Sequence, residues 1–230
     1  MIFYFNNFFL RQGNEIFKIC TDSILLGSWI NLKNEKTILD IGAGTGVLGF
    51  MLAQKTEAKL FFVEKNEDAI KILEENLKTI PFKNQFEIIG KDFFSTSFNT
   101  NFDFIISNPP YFANSIKNKL QNISEARHHI NFGFELFFKR SFEITSKNGS
   151  LAIVIPYSIF NSVLIKAFAS GFYLSRFCKV YHDKKSSVSI VLIEFVKDYK
   201  KTIEEKIILT HDNKPSEDYI NLTKDYIVLN

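Results

Sequence analysis

The residues best suited to chemistry lie in the stretch Ile105-Ile106-Ser107-Asn108-Pro109-Pro110-Tyr111-Phe112. The apolar run Phe102 to Ile106 predicts a buried strand, and two prolines end it because each lacks an N–H and fixes φ. The strand therefore stops at a rigid corner. There the Asn108 side-chain oxygen and the Pro109 carbonyl would stand side by side as acceptors, with the Tyr111 ring as a stacking platform and Pro110 and Phe112 as its neighbours. Such a corner suits a planar exocyclic amine. Two acceptors on its two hydrogens favour a pyramidal nitrogen and turn the lone pair toward an electrophile without a strong base. A Pro-Pro turn with no chemistry would use the same residues, so the chain upstream has to decide.

Upstream, Thr37 to Ile41 predicts a short buried strand, Gly42-Ala43-Gly44-Thr45-Gly46 a tight turn, Val47 to Gln54 an apolar helix, and Leu60 to Glu64 a second strand. That is a βαβ unit with a glycine-rich first turn, so the sheet should be parallel and a ligand should sit at the strand C-termini. The glycine spacing is G-x-G-x-G, and not the G-x-G-x-x-G that seats a pyrophosphate on a helix N-terminus. Asp40 also puts a carboxylate beside the turn, where a pyrophosphate would be repelled and a cationic amino group welcomed. S-adenosylmethionine carries that amino group and no phosphate. Glu64 is placed to accept from both ribose hydroxyls. After a third strand, Phe86 to Ile89, Asp92 could accept from the adenine amino group of such a cofactor while Phe93 packs on its ring; a solvated turn aspartate is the alternative.

The chain that positions these residues has 230 of them, 46% hydrophobic and 23% charged, which predicts one domain with a sizeable core. Formal charge is +3, so a nucleic-acid partner is permitted and not demanded. The 26 phenylalanines accompany abundant Lys, Asn and Ile and carry no functional weight. Cys20 and Cys178 lack metal-ligand spacing and read as free thiols in a reducing compartment. No apolar run reaches the roughly 18 residues of a membrane span, and the N-terminus lacks a basic segment before an apolar core. The expectation is a cytoplasmic monomer without a metal site.

Flanking elements follow from pattern. Phe3, Tyr4, Phe5, Phe8 and Phe9 with Arg11 predict a small strand or flap whose rings are buried or stack on bases. Thr21 or Asp22 can N-cap a helix through Trp29. Glu67 to Leu77 predicts a helix with Ala69, Ile70, Leu73 and Leu77 inward. Residues 113 to 129 are polar and predict a loop over the site, where Lys117, Lys119 and Arg127 could meet phosphates. Ile130, Phe134, Phe137 and Phe138 make the core face of a helix ending at Asn148-Gly149. Leu151 to Ile155 is a fifth strand and Tyr157 to Ala169 a helix. Gly171 to Tyr181 and Ser187 to Lys197 predict an antiparallel pair whose tip carries Lys184 and Lys185. Domain organisation is expected as an N-terminal extension covering the cofactor (1–35), a catalytic unit (36–197) and a C-terminal addition on the same domain (198–230), the last without an assigned role.

Asp40 to Gly46, Glu64, Asp92 and Asn108-Pro109-Pro110-Tyr111 together resemble the class I methyltransferases dependent on S-adenosylmethionine. Within that superfamily Thr21 to Trp29, Asn-Pro-Pro-Tyr-Phe and Ala126-Arg127-His128 are similar to the bacterial tRNA (adenine-N6)-methyltransferases. One departure is Ser23, where the family pattern leads one to expect glycine. The resemblance implies a Rossmann-like α/β fold, a seven-stranded and mostly parallel sheet with an antiparallel last strand and helices on both faces. It implies methyl transfer to N6 of the adenine immediately 3′ of the anticodon, position 37, in a valine tRNA, and it places Thr21 and Asp22 near the cofactor's methionine end. Two other enzymes accept a planar nitrogen at such a corner: a glutamine-N5 methyltransferase of release factors, though 35 N-terminal residues leave no room for its substrate domain, and a DNA adenine methyltransferase, though no target-recognition domain is visible. A non-catalytic RNA-binding module is the reading from another class.

Overall fold

The structure, a computed structural model, describes residues 1–13, 18–109 and 123–227, with only the backbone of 123–132. In chain order it contains β1 (Ile2–Tyr4), β2 (Phe9–Arg11), α1 (Thr21–Trp29), β3 (Thr37–Ile41), α2 (Val47–Ala53), β4 (Lys59–Val63), α3 (Glu67–Leu77), β5 (Phe86–Ile89) and β6 (Phe102–Ser107). There follow α4 (Ile123–Ile144), β7 (Thr145–Pro156), a single 3-10 turn and α5 (Phe160–Ala169), β8 (Tyr173–Tyr181), β9 (Val188–Val196), β10 (Ile203–Ile208), the two-residue strands β11 (Thr210–His211) and β12 (Lys214–Pro215), and α6 (Glu217–Thr223).

One sheet runs β5-β4-β3-β6-β7-β9-β8-β10. Every neighbouring pair from β5 to β7 is parallel, whereas β9 is antiparallel to both β7 and β8. The seven expected strands are present with the last one reversed. An eighth, β10, pairs in parallel with β8, so the sheet continues past residue 197. The runs of Ile, Leu, Val and Phe in β3, β4, β6 and β7 have no alternation because both faces are covered by helices. Leu39, Phe61, Ile105, Leu151 and Ile153 fill one side with α4 and α5; Ile38, Phe62, Phe104, Ala152 and Val154 fill the other with α1 and α2.

Two local expectations are revised. Thr21 is the first helical residue of α1, and Cys20 occupies the N-cap position without a side-chain cap bond. The Asn148-Gly149 pair falls inside the irregular start of β7, because α4 ends at Ile144 and the chain pairs at once with Phe102. Asn76, on the inward face of α3, is fully buried and polar. Its carboxamide accepts from the Arg11 N–H and donates to the Arg11 and Thr45 carbonyls, stitching β2 to the glycine turn. The N-terminal rings divide as well: Phe5 and Phe8 stack on each other in the core, whereas Tyr4 is 72% exposed. Asn6 bonds the carbonyls of Lys224 and Tyr226, so β1 and β2 close onto the segment after α6.

Candidate active site

In a parallel sheet all C-terminal strand ends lie on one edge, and four neighbouring strands here deliver the sequence-predicted residues to it. Asp92 follows β5, Glu64 follows β4, the glycine turn follows β3, and Asn108 follows β6. At about 4.8 Å per strand the row is roughly 15 Å long. It begins with two carboxylates and ends with a carboxamide.

The turn is held from three sides. Gly42, Gly44 and Gly46 have φ of 68°, 55° and 86°, a region that costs any L side chain. The N–H groups of Gly42 and Ala43 donate to the Val63 carbonyl, and that of Gly44 to Glu64 Oε2 at 2.9 Å. Glu64 Oε1 accepts from the N–H groups of Lys65 and Asn66. Glu64 thus braces the turn besides being available to a ligand hydroxyl, a duty the sequence did not announce.

Asp40 stands beside the glycine turn, near the end of β3. It is 1% exposed beneath the turn, and its Oδ2 accepts from the Gly49 N–H of α2 at 2.9 Å. That approach needs a glycine, since a Cβ at position 49 would stand 2.2 Å from the Phe62 ring. Burial is the chief reason that the Asp40 carboxyl is pushed up to about 7, with the Gly49 bond opposing and Glu64 adding to the rise. Its Oδ1 has no hydrogen-bond partner. A buried, unpartnered carboxylate oxygen is the atom here that a cationic group would satisfy.

Asp92 accepts from the Phe94 N–H at 2.8 Å and from Lys65 Nζ at 3.1 Å. The Phe94 bond, more than the Lys65 ion pair, holds its carboxyl below the usual range. Phe93 corrects an expectation: its ring is 6% exposed, packed among Phe98 and Phe137, and therefore belongs to the core and not to a ligand's face. Phe94, 41% exposed, is the open ring of that loop. Sequence reasoning also missed Arg140 of α4, which donates to the carbonyls of Phe93 and Thr96 and lies over the Phe93 ring. Its place on the outward side of a core helix gave no signal.

At the other end, Ser107 donates to the Ile41 carbonyl at 2.8 Å, locking the ends of β6 and β3 together one residue before Asn108. Asn108 and Pro109 are half-buried at the mouth of the site. The Asn108 Nδ2 donates to Ser23 Oγ at 3.0 Å and reaches Cys20 Sγ at 3.4 Å. The start of α1 is thereby set against the corner. Thr21 is exposed and Asp22 half-buried there, with burial lifting the Asp22 carboxyl above its usual range. Pro110, Tyr111, Phe112, Lys117 and Lys119 lie outside the described residues, as does the side chain of Arg127, whose backbone is in α4. Lys184 and Lys185 are exposed at the β8–β9 tip, on the same edge of the sheet as Asn108 because β8 runs parallel to β6 through two reversals.

The donor set fits S-adenosylmethionine. At Gly42 and Gly44 a Cβ would meet nothing within 4 Å, so the turn opens on free space that only glycines leave clear. The Glu64 and Asp92 carboxylates lie along the same edge, and the unpartnered Asp40 Oδ1 lies beneath the turn. Among the described residues no cluster of His, Cys, Asp or Glu could hold a metal ion, and no helix is long and apolar enough to cross a membrane.

Comparison with known proteins agrees with this geometry. The family model of the methyltransferase small domain matches residues 18–170. The tRNA1(Val) (adenine(37)-N6)-methyltransferase of Tolumonas auensis is 34% identical over 227 residues, covering 97% of this chain and 95% of its own. Its counterpart from Bacteroides thetaiotaomicron is 32% identical over 97% of this chain and 96% of its own. Among solved structures, a predicted O-methyltransferase from Agrobacterium tumefaciens superposes with a TM-score of 0.69 at 18% identity, over 89% of this chain and 96% of that one. M. jannaschii TYW2, solved in complex with AdoMet, superposes with a TM-score of 0.57 at 16% identity over 86% of each chain. The fold is that of the class I methyltransferases, and the chain belongs to the methyltransferase small-domain family and, within it, to the tRNA1(Val) (adenine(37)-N6)-methyltransferases.

Proposed function

We propose that the protein is an S-adenosylmethionine-dependent methyltransferase acting on N6 of adenine 37 in a valine tRNA, as its curated relatives are named. The observation that carries this reading is the placement of Asn108 and Pro109, at the end of β6, next to the glycine turn after β3. S-adenosylmethionine, when bound, supplies a methyl group on a sulfonium. Asp92 would accept from its adenine amino group, Glu64 from its ribose, and Asp40, Thr21 and Asp22 would serve its methionine end over Gly42, Gly44 and Gly46.

Asn108 and Pro109 hold the two hydrogens of the target amine and aim its lone pair, so catalysis is chiefly positioning. The target nitrogen becomes cationic as its new N–C bond forms and then gives up one proton to solvent, so Asn108 and Pro109 need offer acceptors only and no oxyanion hole. The target adenine must leave its stack at a cost of a few kcal/mol, and stacking on Tyr111 would return about 1 to 3 kcal/mol. An anticodon loop keeps that cost low. Lys184 and Lys185, with Lys117, Lys119 and Arg127, would meet the anticodon stem-loop phosphates; Pro110 and Phe112 would line the base slot. We further assign the chemistry to residues 36–197, the cofactor cover to 1–35, and a monomeric, cytoplasmic life to the enzyme, where unmodified tRNA is found.

Labelled methyl transfer tests the reading. Label should enter a valine tRNA transcript and not the same transcript with guanine at position 37. Label in a release factor instead would move the protein to the glutamine-N5 class.

A further inference from the structure

We infer that Ser23 and Cys20, at the start of α1, are positioning residues that fix the Asn108 carboxamide with its oxygen toward the target amine. This rests on the methylation reading above. A carboxamide presents an acceptor on one side and two donors on the other, and only the acceptor side serves an amine nucleophile. A donor facing the amine would repel it.

The geometry resolves the choice. Ser23 Oγ lies 3.0 Å and Cys20 Sγ 3.4 Å from Asn108 Nδ2, so both stand on the nitrogen side of the carboxamide. Ser23 Oγ and Cys20 Sγ are 3.5 Å apart, within reach of a hydrogen bond in which either can donate, and the serine lone pairs remain able to serve the amide. Cys20 makes no side-chain cap on α1, and its sulfur is therefore not committed to the helix. Ser23 is 5% exposed in the first turn of α1, so its hydroxyl has few other orientations. The backbone before Asn108 is pinned separately by Ser107 on the Ile41 carbonyl. The backbone therefore sets where the side chain stands, and Cys20 and Ser23 set which way it faces. The departure from glycine at position 23 thus acquires a purpose.

The test combines kinetics with nuclear magnetic resonance on the full-length protein. The side-chain amide of Asn108 is observed in protein labelled with nitrogen-15 asparagine and assigned by its disappearance in Asn108→Asp. In wild type the pair should show hydrogen-bonded shifts, and Ser23→Ala should move it toward the position of a solvated amide. The same variant should lower kcat on valine tRNA about tenfold, the worth of one oriented hydrogen bond, with KM for S-adenosylmethionine and the melting temperature little changed. Ser23→Cys, which keeps a weaker acceptor, should lie between Ser and Ala. The double variant Cys20→Ala with Ser23→Ala should lose more kcat than either single one. Unchanged kcat and an unmoved amide resonance in that double variant would overturn the inference, as would a kcat loss that tracks the melting temperature. Failure of wild type to methylate tRNA would count against the substrate reading alone, because the amide resonance decides the Ser23 contact by itself.

Discussion

At the scale of single residues, the site separates holding a cofactor from holding a target. Asn108, which the sequence offered for both tasks, is assigned here to the second, since its hydrogen bonds among the described residues go to Ser23 and Cys20. Asn108→Ala should therefore abolish methyl transfer while S-adenosylmethionine affinity, measured by calorimetry, stays within about threefold, because the interaction lost is one made in the transition state. Loss of both together would assign Asn108 to the cofactor. Asp40 gives a pH signature. Its carboxyl is raised to about 7 in the folded protein against 3.8 in an unfolded chain, so the folded state holds the extra proton between those values. The stability contribution is complete below about pH 4 and is lost as pH rises through 7. Asp40→Asn should flatten the melting temperature over that window and weaken cofactor binding, because Oδ1 would no longer offer a charge to the methionine ammonium. An unaltered pH profile in the variant would remove Asp40 from the first role, and an unchanged cofactor affinity from the second.

Elements bring these residues together, and their construction explains what the sequence disclosed. The βαβ unit was legible because three signals agreed: short apolar runs, a glycine-rich turn, and acids at the strand ends. Contacts between distant segments were not. Ser23 on Asn108, Asn76 on Arg11 and Thr45, and Arg140 on Phe93 join residues separated by tens of positions, and no local pattern marks a polar side chain as a partner. Phe93 was misread for a related reason, since a loop's turn decides which of two adjacent rings points inward. A further long-range device secures the C-terminal end of α1. Arg176 of β8 lies 3.8 Å over the Trp29 ring, bonds Glu194 at 2.8 Å, and donates to the Trp29 carbonyl, while the Trp29 indole N–H donates to Glu205 of β10. Arg176→Met should cost about 1 to 3 kcal/mol in denaturant unfolding, since it leaves the partly buried Glu194 carboxylate without its partner, and Arg176→Lys should recover only part because the planar fork is lost. A neutral Arg176→Met would show that the cluster is not a clamp.

For the whole molecule, the order of strands is what converts scattered motifs into one site. The parallel run β5-β4-β3-β6 sets Asp92, Glu64, the turn and Asn108 in a row, and the double reversal at β9 returns the β8–β9 tip to the same edge. Lys184 and Lys185 then stand two to three strand spacings beyond Asn108, roughly 10 to 15 Å away in the sheet direction. Replacing both with alanine should weaken tRNA binding and reduce its salt slope by up to about two units, leaving transfer at saturating tRNA intact. An unchanged slope would take this tip out of the RNA footprint. Alternation of elements made the α/β class and the strand sequence readable, whereas β10 escaped because its Glu-Glu-Lys run looks like an exposed edge, as it is. The most direct measurement is mass spectrometry of nuclease fragments from a valine tRNA transcript incubated with enzyme and S-adenosylmethionine. One added methyl on adenine 37, identified as N6-methyladenosine and missing with Asn108→Ala, is the expected result. A methyl on another nucleotide, or on adenine 37 with the Asn108→Ala enzyme at the wild-type rate, would contradict it.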